Sequence, residues 1–86
     1  MLQIRYKPSF VREYRRLPEA LRAEVREKIA LFEEDPDHPS LKLHKLKGRL
    51  RGFSSFSVNY RYRIVCEWEG NRVVRLLIVG DHSVYD

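Results

Sequence analysis

The sequence predicts an α+β fold: a small antiparallel sheet, made of an N-terminal strand and a C-terminal three-strand meander, covered on one face by a two-helix hairpin. Three observations predict it. Hydropathy alternates with period two at the start of the chain, takes helical spacing between residues 10 and 32, and alternates again after residue 52. Turn clusters, Asp35-Pro36-Asp37-His38-Pro39 and Glu69-Gly70-Asn71, punctuate the pattern. A chain of 86 residues is expected to form one domain, spanning 1–86, with two packed layers.

The elements follow in order. Leu2-Gln3-Ile4-Arg5-Tyr6 alternates apolar and polar residues and reads as a short strand. Pro8 and Ser9 break it, with Ser9 the candidate N-cap of a first helix whose apolar positions are Phe10, Val11, Tyr14 and Leu17. Pro18 suits the first turn of a second helix, and Glu19 suits the positive end of its dipole. Leu21, Val25, Ile29 and Phe32 form the stripe of that helix, Glu24 and Lys28 a supporting pair, and the helix should stop near Glu34. Gly52 to Val58 and Tyr60 to Trp68 read as strands, the second placing Tyr62, Ile64, Cys66 and Trp68 on one face and Arg61, Arg63, Val65 and Glu67 on the other. Glu69-Gly70-Asn71 is a hairpin turn, Arg72 to Val79 the last strand, and Asp81 to Asp86 a short tail. The helices need only one face of the sheet, so the other stays open and carries Arg61 and Arg63.

Composition narrows the function. The single cysteine, Cys66, allows no intramolecular disulfide and sits in an apolar run, the setting of a buried, inert thiol. The N-terminal residues form no signal-peptide core, and no apolar run approaches the roughly 18 residues of a membrane span. A cytoplasmic protein with no membrane partner is expected. Between Leu41 and Cys66 there is no Asp or Glu, and Lys42, Lys45, Lys47, Arg49, Arg51, Arg61 and Arg63 give that block +7 in a chain of net charge +5, which leaves −2 for the remainder. A polyanion is the natural partner of such a block, because each phosphate contact releases condensed counterions. A merely solubilising surface would not require so long an exclusion of acids.

Within the block, Leu41, Leu43, Leu46 and Leu50 act as apolar anchors while Lys42, Lys45, Lys47, Arg49, Arg51 and His44 point outward, in a segment read as a loop entering the sheet. Cations at this density clamp phosphates or neutralise a dianionic transition state. Arg61 and Arg63 stand two apart on the face the core does not need; an ion pair with Glu67 or Asp81 is their bland alternative. His82 follows the glycine-ended last strand and can give or take a proton near neutral pH. Tyr85 can stack on a base or pack back on the sheet. His38 reads as exposed and inert. The three histidines lack metal-ligand spacing, so no metal and no cofactor are expected. RNA cleavage needs none: the ribose 2′-OH is the nucleophile, and the protein must align it, accept its proton, stabilise the phosphorane and protonate the leaving 5′-oxygen.

The run Tyr62-Arg63-Ile64-Val65-Cys66-Glu67, the turn Glu69-Gly70-Asn71, the strand Val73 to Val79 and the ending Gly80-Asp81-His82-Ser83-Val84-Tyr85 together resemble the RelE/ParE superfamily of type II toxins. Ile4 to Phe10, the helical hairpin and Leu43-His44-Lys45-Leu46-Lys47-Gly48 fit the same resemblance, which covers nearly the whole chain. The RelE and YafQ branches are the most similar. They imply a ribosome-dependent messenger-RNA endonuclease neutralised by a cognate antitoxin. By that resemblance Arg63 matches the strand arginine near the scissile phosphate, His82 the catalytic histidine of YafQ-like toxins, Tyr85 the C-terminal aromatic, and His44 a histidine of the YafQ branch. The chain departs from the family at Ser57 and Arg61, where YafQ-like toxins carry further acid–base residues, and at Ser54 and Phe56, where RelE-like toxins carry lysines.

The expected function is therefore a metal-independent endoribonuclease acting on messenger RNA at the ribosome. His82 or His44 is the base or the acid, Arg63 with Arg61 steadies the phosphorane, and Lys42, Lys45, Lys47, Arg49 and Arg51 hold RNA. Two other readings stay open: a ParE-like inhibitor of DNA gyrase, since fold does not fix function, and a catalytically inactive RNA-binding module.

Overall fold

A computed structural model describes residues 1–81. The element order is β1 (Gln3–Tyr6), α1 (Pro8–Arg15), α2 (Glu19–Glu34), β2 (His44–Lys45), β3 (Ser54–Ser57), β4 (Tyr62–Trp68) and β5 (Val73–Asp81), with short 3-10 turns at Pro39–Leu41 and Gly48–Leu50. The sheet order is β1-β5-β4-β3-β2. The α+β architecture is the expected one, with two refinements. The sheet is mixed, because β1 runs parallel to β5 while all other pairs are antiparallel. A parallel pair needs a crossover, and everything between β1 and β5 supplies it. The fifth strand, β2, lies where a loop was expected.

The helices form where their stripes predict. Phe10 of α1 and Val25 and Phe32 of α2 are buried, with Tyr14, Leu17, Leu21 and Ile29 packed around them. Pro8 occupies the first turn of α1, where its missing N–H costs nothing. Ser9 is not the N-cap; that position is Lys7. The Ser9 hydroxyl instead donates to the Leu77 carbonyl at 2.7 Å, and the reason lies in β5. Val65 faces Ile78 while Cys66 faces Leu76, so Leu77 is the extra residue of a β-bulge. A bulge residue loses its ladder partner, and Ser9 satisfies its carbonyl.

The bulge also decides what each face of the sheet carries. Leu76 and Val79 join the core under the helices, together with Phe56, Ile64, Cys66 and Val74. Phe32 of α2 stacks on Phe56 of β3 with centroids 4.2 Å apart and planes 11° apart, and each such fully buried ring stabilises the fold by roughly 1.5–3 kcal/mol. Leu77, doubled up with Ile78 by the bulge, belongs to a second cluster with Leu46 and Val65, against which Leu50 and Phe53 pack. The face away from the helices is thus not wholly open: residues 46–53 roof part of it.

The expected pair of Glu24 with Lys28 resolves differently. Glu24 accepts from Asn59 Nδ2 at 3.3 Å, tying α2 to the β3–β4 turn. Glu19 takes the ion pairs, with Arg22 at 2.8 Å and Arg26 at 3.0 Å. Its carboxyl is held below its ordinary range by hydrogen bonds from Arg26 and then Arg22. The β4–β5 hairpin turns where expected, with Gly70 at φ 127°, a conformation that favours glycine. No helix among the described residues is long and apolar enough to cross a membrane.

Candidate nucleic-acid interface and catalytic face

Pairing across the sheet fixes which side chains share the face away from the helices. One row runs His44, Ser55, Val65, Ile78. The next row runs Ser57, Arg63, Gly80. Directly paired residues project to the same side. Between the two rows, Phe56, Ile64 and Val79 point the other way, into the core.

Arg63 is half-buried. One of its terminal nitrogens donates to the Ser57 hydroxyl, which lies on the paired residue of β3. Its Nε is buried, and no group among the described residues accepts from it. Ser55 Oγ is in the same condition one row away, although Ser55 is 0% exposed. A buried guanidinium N–H without an acceptor is costly. An anionic oxygen is the group that relieves the cost, because it takes a charge-assisted bond from the planar fork. Gly80, the β5 partner of Arg63, carries no side chain to block the approach.

His44 is exposed on the edge strand. Its orientation is set by Lys42, which adopts a left-handed conformation at φ 50° after the Pro39–Leu41 turn. Such a conformation costs a non-glycine residue about 1 kcal/mol. It aims the Lys42 carbonyl at His44 Nδ1, 2.9 Å away. A carbonyl only accepts, so Nδ1 is the donor in this contact, and in the neutral ring Nε2 is then the acceptor. That is the tautomer of a proton acceptor. From His44 to Arg63 is two strands across, about 10 Å, and one row along, about 7 Å. A ligand of nucleotide size, not a single small ion, spans both.

The other residues singled out in the sequence fall as follows. Lys42, Lys45, Lys47, Arg49 and Arg51 are all exposed, while Leu41 and Leu46 are buried and Leu43 and Leu50 partly so; the leucines anchor the segment and the cations face outward, as expected. Arg61 lies in the β3–β4 turn, not on the strand. The Asn59 side chain accepts from the backbone N–H of Arg61 and Tyr62 and makes that turn. The Arg61 guanidinium then sits over the Tyr62 ring at 5.6 Å. Among the described residues neither Arg61 nor Arg63 forms an ion pair with Glu67. His82 and Tyr85 lie outside the described residues. Cys66 is buried and its thiol is pushed up to about 12 by that burial, so it stays protonated and inert. His38 is not idle: its Nδ1 accepts from the Ser40 N–H at 3.2 Å and caps the Pro39–Leu41 turn. No three metal-ligating side chains gather among the described residues.

Sequence reasoning noted Ser57 only as a departure from a family pattern and passed over Ser55. The signal lies in Ser54-Ser55-Phe56-Ser57: a strand whose every position is buried although three of its four residues carry hydroxyls. Hydroxyls on a buried strand ask for partners, and one of these holds Arg63.

The chain matches the family model of the ParE-like toxin domain over residues 19–86. Its fold is that of several solved toxins. The YoeB/ParE toxin from Agrobacterium tumefaciens superimposes with a TM-score of 0.77 at 18% identity, covering 94% of this chain and 99% of that one. YafQ from E. coli strain BL21(DE3) gives 0.75 at 15% identity, covering 96% of each chain. A chain of the toxin–antitoxin complex RelBE2 from Mycobacterium tuberculosis gives 0.77 at 20% identity, covering 94% and 98%. No curated protein matches the chain in sequence.

Proposed function

The chain belongs to the ParE-like toxin family, within the RelE/ParE superfamily, and from that premise we propose that it is the toxin of a toxin–antitoxin pair and acts as a ribosome-dependent endoribonuclease on messenger RNA. One observation carries the reading: a histidine whose Nδ1 is held by a backbone carbonyl shares a sheet face with a half-buried arginine whose buried Nε has no acceptor among the described residues.

The chemistry follows from those groups. His44 Nε2 takes the proton of the ribose 2′-OH as the 2′-oxygen bonds to phosphorus. Arg63, braced by Ser57, donates to the non-bridging oxygens and offsets the charge that builds on the phosphorane. The P–O5′ bond then breaks, and the 5′-oxygen needs a proton. His82, one residue beyond the end of β5 in sequence, is assigned that delivery, and Tyr85 the orientation of the substrate base. Lys42, Lys45, Lys47, Arg49 and Arg51 hold the RNA backbone, ribosomal or messenger. Arg61, in its turn, serves the periphery of the same field. The reaction draws on no metal. The expected partner besides RNA is a cognate antitoxin with an acidic segment, and the expected compartment is the cytoplasm, where ribosomes and messages are.

The rival is inhibition of DNA gyrase, which the ParE-like family match alone does not separate from RNA cleavage. Controlled expression in a bacterial cell with mapping of messenger-RNA 5′ ends separates them. Growth arrest with cuts inside translated codons is the expected result. Arrest with intact messages and gyrase-linked DNA breaks overturns the nuclease in favour of the rival, and growth without arrest leaves only an inactive RNA-binding module.

A further inference from the structure

The geometry points to a second nucleic-acid subsite, outside the catalytic face: a cleft lined by Lys45, Arg51, Phe53 and Trp68 that takes one unstacked nucleotide of a single-stranded RNA, ring against ring and phosphate against cation. The inference rests on the RNA-cleaving reading for its biological purpose, though not for its physical basis.

Strand β2 alternates. His44 pairs with Ser55 and so faces the catalytic side; Lys45 pairs with Ser54, which faces Cys66, and so emerges on the opposite side at the same edge. There a cleft of about 510 Å³ opens between Lys45, Leu46, Arg51, Phe53, Ser54 and Trp68. It holds two exposed cations and two partly exposed aromatic rings, and no carboxylate lines it. Trp68 leans on Phe32 with centroids 6.0 Å apart, so the core fixes the indole rather than leaving it to collapse onto the cleft. Phe53 borders the cleft from the sheet edge while packing on the second apolar cluster of the other face. Rigid rings beside cations suit a nucleobase and its phosphate, because stacking is indifferent to base identity and the phosphate contact to sequence.

The cleft is continuous with the site. A shallower groove of about 270 Å³ is lined by His44, Lys45, Leu46, Lys47 and Leu50, and Lys45 and Leu46 border both. A strand whose scissile phosphate lies by His44 and Arg63 can therefore pass over the β2 edge and set a flanking nucleotide in the cleft. An acidic peptide would satisfy the cations and leave the rings without a matching surface, which is why RNA is the better fit.

Trp68 is the only tryptophan of the chain, so its emission reports the cleft directly. The test titrates the full-length protein with a hexaribonucleotide fully 2′-O-methylated, which binds but offers no nucleophile. Saturable quenching of Trp68 is expected. Phe53→Leu, which keeps the apolar packing and removes the ring, is expected to weaken binding roughly 5- to 100-fold while the melting temperature holds. Arg51→Gln is expected to reduce the slope of log affinity against log salt by about 0.7. Binding that leaves Trp68 emission unchanged, no binding at all, or a polyglutamate peptide that quenches where the RNA does not, each overturns the inference. Cleavage of unmodified message by the same preparations separates the two claims. Quenching without cleavage supports the cleft and removes the nuclease, whereas cleavage with an unresponsive Trp68 removes the cleft alone.

Discussion

Phe56, Ile64 and Val79 stand in one cross-strand row on the helix-covered side of the sheet, and none is more than 2% exposed. The adjoining row on the other side, from the same three strands, is Ser57, Arg63 and Gly80. A step of one residue along each strand thus exchanges an aromatic and two branched aliphatics for a hydroxyl, a guanidinium and no side chain at all. The first row is satisfied by contact alone. The second is left with a buried Nε that lacks an acceptor among the described residues. Within these two rows, packing and the proposed chemistry are separated by the pleat of the sheet, not by position along the chain, and mutations in the two rows should part accordingly.

The largest effect is expected on the covered face. Phe32→Ala removes the ring stacked on Phe56 and should cost about 3–5 kcal/mol of stability, read as a lower urea midpoint, with cleavage lost only as the fold is lost. A variant that stays folded and inactive would break the division. On the other face, Arg63→Ala should reduce cleavage by roughly 10²–10³-fold while moving the midpoint far less than Phe32→Ala. Loss of both in proportion would return Arg63 to the core. Ser57→Ala sharpens the contrast within that face. Ser57 positions the guanidinium, and losing one such hydrogen bond, worth about 1 kcal/mol, should lower kcat roughly fivefold with KM little changed. Ser57→Thr, which keeps the hydroxyl, should restore most of the rate; no rescue would mean the hydroxyl is not what matters.

The smallest effect concerns the helical hairpin alone. Hydrogen bonds from Arg26 and Arg22 lower the Glu19 carboxyl below its unfolded value of 4.5. A lowered folded value means stability that is present above pH 4.5 and is lost as pH falls through the folded value. Wild type and Glu19→Gln should therefore differ most above pH 4.5 and converge below it, in a series of urea melts at low salt. A constant difference across that window would contradict the assignment.

Much of this division could be read from the sequence, and the remainder had physical reasons to be hidden. α2 was placed within a residue of its observed bounds because Pro18, Glu19 and the Asp35-Pro36 turn bracket a clean stripe, with Pro18 at the N-cap rather than in the first turn. The parallel placement of β1 was not legible, since four residues of alternation carry no information on direction. β2 has two residues and no pattern of its own; it exists because Ser54 and Ser55 pair with it. The bulge at Leu77 was equally silent, because an extra residue in an apolar run looks like any other. Arg63 and His44, the residues proposed for the chemistry, were singled out from residue type and resemblance, and Arg61 was misplaced because the Asx turn at Asn59 shortens the strand. What no sequence pattern announced was the contact that orients His44: it depends on one carbonyl, aimed by a left-handed lysine.

The most direct measurement is cleavage of a defined message on programmed ribosomes by wild type, His44→Ala and Arg63→Ala, with the melting temperature of each recorded beside its rate. The account predicts that both variants melt close to wild type and lose cleavage by roughly 10²-fold or more. Variants that cut at the wild-type rate would contradict the claim that this face of the sheet performs the chemistry.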